Sequence, residues 1–97
     1  MRERVDNGEG DPRVVALRLA VSRLRRELAG YPREFAERGI AEDELGALGA
    51  MASGAAPEPA RLVRSLLAVA GALGSVSALS APLAALSEAV RAFTPRR

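Results

Sequence analysis

Apolar residues recur along most of this chain at spacings of three and four, the period of one face of an α-helix. After Asp11, the residues Val14, Leu17, Val21, Leu24 and Leu28 form one stripe, close to a heptad seam. Asp11 suits the N-cap and Pro12 the first helical position, whose missing N–H costs nothing. Gly30, in a left-handed cap conformation, and Pro32 are expected to end this helix. The segment PREFAERG predicts a short second helix closed by Gly39, with Tyr31, Phe35 and Ile40 turned inward. A third helix is expected from about Ala41, with Glu42, Asp43 and Glu44 in its dipole-favoured first turn and Leu45, Leu48 and Met51 or Ala52 inward.

The linker Ser53-Gly54-Ala55-Ala56-Pro57-Glu58-Pro59 leads into the longest pattern. Leu62, Leu66, Val69, Leu73, Val76, Leu79, Leu83, Leu86, Val90 and Phe93 form a ladder with one missed beat, into which Pro82 falls. The expectation is one helix from about Pro59 to Ala81 and another from Pro82 to Phe93, kinked or broken at the proline. Ser65 to Ser87 carries no charge, and it is rich in small residues. Ala70, Gly74 and Ala78, with Gly71 and Ser75 beside them, form a face that two helix backbones can approach closely. The fold class read from these patterns is all-α, a small antiparallel bundle of four to five helices around a long, apolar, small-residue-rich helix.

Composition narrows the chemistry. The 97 residues suffice for one domain with one modest core. Residues 1–11 are polar and read as a disordered tail, 12–94 as the helical domain and 95–97 as a basic end. There is no apolar stretch near Met1 of the kind a secretory signal needs. Cys, His and Lys are all absent, which excludes thiol nucleophiles, Cys/His zinc sites, imidazole bases and lysine chemistry. All 14 basic residues are Arg against 12 acids, so the net charge is only +2. The Ala, Arg, Gly and Pro bias is that of a high-GC coding sequence.

Candidate sites are few. Arg18, Arg23, Arg25 and Arg26, with Arg13, occupy the polar side of the first helix, and Glu27 lies four residues after Arg23. An arginine cluster can hold phosphates, but with no aromatic interleaving the expected role is a solvated or salt-bridged face offered to a protein partner. Glu42, Asp43 and Glu44 are oxygen ligands in type, yet consecutive helical residues point about 100° apart and do not converge on one ion. Tyr31 reads as a core-edge residue with its hydroxyl in water. No catalytic, cofactor or metal residue is assigned.

The segments DPRVVALRLAVSRLRREL, GIAEDELGAL and RSLLAVAGALGSVSAL resemble a family of short, uncharacterised, all-helical proteins encoded in high-GC bacteria. The resemblance covers Asp11 to Val90 and implies a helical fold, with no activity, cofactor or catalytic residue attached to it.

The function expected is a non-catalytic helical interaction or oligomerisation module. A single chain looks short of surface to cover the last apolar region, so a homo-oligomer, with a dimer favoured, is expected through Ala70, Gly71, Gly74, Ser75 and Ala78. A protein partner is expected on the arginine face, and nucleic acid is the minor alternative. The other reading is a small membrane-anchored or holin-like protein spanning with residues 65–81, where Arg61 and Arg64 would anchor one end. Ser75, Ser77, Ser80 and Pro82 dilute or interrupt that span, so a buried helix in a cytoplasmic protein is preferred over one in the inner membrane.

Overall fold

Asp11 opens the first helix as expected, its carboxylate accepting the Arg13 backbone N–H at 2.9 Å while Pro12 occupies the first helical position. The structure is a computed structural model and describes residues 10–54 and 57–94. Residues 1–9 of the tail expected over 1–11, the linker residues Ala55 and Ala56, and the basic end at 95–97 lie outside the described residues. Helix α1 spans Pro12–Gly30 and buries Val14, Leu17, Val21, Leu24 and Leu28, with Ala20 beside them. Gly30 does not take a left-handed cap, because no residue among those described has positive φ. Instead the Tyr31 N–H donates back to the Leu28 carbonyl at 3.1 Å, and Pro32 prevents continuation.

The short helix expected over PREFAERG does not form. Residues 31–37 are an irregular segment ending in a turn, and α2 runs Arg38–Ala52 with Gly39 inside its first turn. A helix over 32–39 would have presented only Phe35 and Ala36 as apolar surface, too little for a buried face. The early start of α2 moves Glu42, Asp43 and Glu44 out of the first turn, so the helix dipole does not explain them. It also fixes Ala41, Leu45, Leu48 and Ala52 as the buried face. Ile40 lies one residue, about 100°, off that face and is 54% exposed, against the expectation that it turns inward. Tyr31 and Phe35 do pack against the core, edge to face with ring centroids 6.0 Å apart.

The long apolar region is two helices, as expected, but they part earlier than expected. Helix α3 spans Pro59–Leu73 and helix α4 spans Ser80–Arg91, joined through Gly74, Ser75, an extended Val76 and a 3-10 turn at Ser77–Leu79. The break therefore falls at Gly74 to Val76 and not at Pro82. The ladder explains why. Leu73, Val76 and Leu79 are two successive threes, and in an unbroken α-helix that step would rotate Leu79 about 120° off the seam. One residue at φ −99°, ψ 90° resets the phase, so Val76 and Leu79 are both buried. Pro82 sits in the first turn of α4, where backbone N–H groups have no intrahelical acceptor, and its ring is fully buried.

The four helices form a ring: α1 packs on α2, α2 on α3, α3 on α4, and α4 returns to α1. Short connections make chain neighbours antiparallel. The closing pair is antiparallel too, since the Arg13 guanidinium, at the start of α1, lies 4.8 Å over the Phe93 ring, just past the end of α4. Leu17, Leu24, Leu45, Leu48, Leu62, Val69 and Leu86 are wholly buried at the centre. Thus the single chain packs the whole ladder against one core, with Leu66 and Leu83 only partly buried. None of the helices among the described residues is long and apolar enough to cross a membrane, and residues 65–81 do not form one helix, so a span there is not favoured.

Candidate interaction surfaces

Once the core is closed, the informative residues are those left outside it. Among the described residues four large hydrophobic side chains are exposed: Val15 at 41%, Leu19 at 66%, Ile40 at 54% and Leu67 at 65%. Val15 and Leu19 lie four residues apart on the outer side of α1, opposite the buried stripe. Leu67 lies on the outer side of α3, opposite Leu62, Val69 and Leu73.

The small-residue face maps to the same side of α3 as Leu67. Gly71 and Gly74 are exposed and Ala70 is half-buried, so these three remain together near the C-terminal end of α3. Ser75 is exposed in the following turn, and Ala78 is exposed in the 3-10 turn beyond extended Val76. The regular four-residue spacing of Ala70, Gly74 and Ala78 therefore stops at Gly74. The two glycines also differ. A Cβ on Gly71 would meet nothing within 4 Å, whereas one on Gly74 would come 3.0 Å from the Ala70 carbonyl oxygen.

Helix geometry divides the arginines of α1. Arg23 pairs with Glu27 at 3.1 Å, as the spacing suggested. Arg25 reaches towards α2, where its Nη1 would lie 3.4 Å from a Cβ on Gly49, and with Glu42 and Leu45 it borders a small recess. Arg18 is half-buried, with an Nε that is buried and has no hydrogen-bond partner among the described residues. Arg26 is exposed on the outer side. Arg18, Arg25 and Arg26 make no ion pair among the described residues, and the four arginines do not converge on one point.

Between α1 and α4 runs an open groove with a floor of small side chains. Ala16, Ala20, Ala85, Ala89 and Ala92 line it, Leu19 stands on its rim, and Arg23 and Glu88 supply one charge on each wall. Glu88 also pairs with Arg91 at 2.6 Å along α4. Alternating stripes of α1 feed both core and groove, because residues 16 and 20 are one step from the buried positions 17 and 21. Sequence reading passed over these alanines, since nothing in α1 or α4 alone shows that they share a groove.

Arg38 was missed as well. Its guanidinium donates to the carbonyls of Leu28 at 2.6 Å, Tyr31 at 3.0 Å and Arg33 at 2.8 Å, and to Glu42 at 3.3 Å. It also lies 5.9 Å over the Phe35 ring. This is a structural role, holding the end of α1 against the start of α2. Among the described residues no set of acidic side chains could hold a metal ion.

No curated protein and no solved structure matches this chain. A family model does match, over residues 6–94 and so nearly all of the chain, including all four helices and the alanine groove. By that match the chain belongs to the family of unknown function DUF5955, in agreement with the resemblance read from its helical segments.

Proposed function

We propose that this protein is a helical interaction module that catalyses no reaction, associates with itself, most simply as a dimer, and presents apolar helix faces to a protein partner. One observation carries the reading. A ring of four helices packs its whole ladder against one core, with Leu66 and Leu83 partly buried. It nevertheless leaves Leu19 and Leu67 two-thirds exposed, Leu19 beside the alanines of the α1–α4 groove and Leu67 on the same side of α3 as Ala70, Gly71 and Gly74. Exposed leucines among small residues suit close helix–helix contact, because the small side chains let a second backbone approach. On α3 the contact would use Leu67, Ala70, Gly71 and Gly74. The composition supports a role without catalysis, since the chain has no Cys, His or Lys.

The test is light scattering on the full chain after size exclusion, from micromolar to millimolar protein. Self-association predicts a mass that rises with concentration or stays at twice that of the chain. A mass of one chain throughout would defeat it. Leu67→Glu and Gly71→Leu, both at open positions, then report whether the α3 face takes part.

A further inference from the structure

We infer that the groove between α1 and α4 is the self-contact of this protein, and that its occupant is the same groove of a second copy related by a two-fold axis. The inference rests on the self-association proposed above and goes further by assigning the surface. An isologous contact requires one surface to carry both a projection and the hollow that receives it, and both partners of every charge pair. The groove meets each requirement. Leu19, 66% exposed, projects from the α1 rim, and the alanines of α4 form a hollow beside it.

The charges agree with the same axis. Arg23 stands on the α1 wall and Glu88 on the α4 wall, with side chains 44% and 75% exposed. Among the described residues each makes an ion pair only along its own helix, Arg23 with Glu27 and Glu88 with Arg91. A two-fold axis running along the groove, parallel to both helices, lays α1 of one copy over α4 of the other. Leu19 then seats on Ala85 and Ala89 of the second copy, and Arg23 comes alongside Glu88 of the second copy, each contact occurring twice. The outer face of α3 stays uncovered in such a dimer and is left for a different protein.

A charge swap tests this on the full chain, with mass followed by light scattering over a dilution series and folding checked by circular dichroism. Leu19→Glu, at an exposed position, should leave the helices intact and abolish the dimer. Arg23→Glu and Glu88→Arg should each weaken dimerisation about tenfold through like charges across the axis. The double variant Arg23→Glu with Glu88→Arg should recover it. Recovery of mass cannot come from the pairs along each helix, because the swap places like charges there. A wild-type monomer at all concentrations overturns both this inference and the self-association on which it rests. A dimer indifferent to Leu19→Glu and to the charge changes, but broken by Leu67→Glu, overturns the groove assignment alone.

Discussion

The Arg38 guanidinium donates to the Leu28 carbonyl at 2.6 Å, across ten residues and from one helix to the one before it. With the Tyr31 and Arg33 carbonyls and Glu42 as further acceptors, one side chain satisfies the end of α1, shapes the connection and braces the first turns of α2. Removing it leaves the part-buried Tyr31 carbonyl without this donor and the Leu28 carbonyl with only the Tyr31 N–H. Arg38→Met should therefore destabilise the fold by about 2–3 kcal/mol in urea unfolding. Arg38→Lys should recover only part of this, because an ammonium cannot reproduce the planar fork. Equal stability of Arg38→Met and wild type would show that water replaces the network.

Glycine substitutions should divide by local space. Gly46 and Gly71 are helical, have ordinary φ and would place a Cβ in open space. Their change to Ala should raise stability by about 0.5–1 kcal/mol each. Gly49→Ala should gain less, since its Cβ would meet Arg25 at 3.4 Å and Val21 at 3.7 Å. Gly74→Ala should gain nothing, because the atom it crowds is the Ala70 carbonyl and not a mobile side-chain end. Thermal midpoints of the four variants give the ranking directly.

Pro82→Ala separates two accounts of the last apolar region. If the proline kinked a continuous helix, replacing it would repair a hydrogen bond and stabilise. In the first turn of α4 there is no such bond to repair, while the buried ring and the stiffness it gives the unfolded chain are lost. We expect destabilisation of about 1 kcal/mol with unchanged helix content by circular dichroism. A stabilised, more helical variant would contradict the break at Gly74 to Val76.

Core and surface leucines should respond in opposite ways. Leu48→Ala empties a fully buried site and should cost about 2–5 kcal/mol. Leu67→Gln, at a position 65% exposed, should stay within about 0.5 kcal/mol of wild type in the same unfolding measurement.

Acid should act partly through Asp11. Side-chain hydrogen bonds from Arg13, then the Arg13 backbone N–H, hold the Asp11 carboxyl below its ordinary value of 3.8. A depressed folded-state pKa gives stability that is present above the unfolded value and is lost as pH falls through the folded one. The difference in thermal midpoint between wild type and Asp11→Ala should therefore be steady near neutrality and shrink below about pH 4. A difference that does not change with pH would assign the effect of Asp11 to something other than its charge.

Periodicity alone settled much of this protein. The α1 stripe, the Asp11–Pro12 start, the Arg23–Glu27 pair and every inward position of the ladder follow from local rules, because helix faces repeat within a turn or two. The same sequence also showed the phase slip at Leu73, Val76 and Leu79, but the proline nearby drew the break to the wrong place. What needed the tertiary structure was everything set by two segments at once. Arg38 is one arginine among fourteen until the end of α1 comes beside it and its bonds tie the 31–37 segment to both helices. Ala16, Ala20, Ala85, Ala89 and Ala92 are weakly patterned residues on two helices, and only the closing of α4 onto α1 makes a groove of them. How much of the ladder one chain covers was likewise a question of total packing, since the area one helix can cover depends on how its neighbours lean on it. Local periodicity fixes which side of each helix is apolar; only the packed ring fixes how much of that side remains outside.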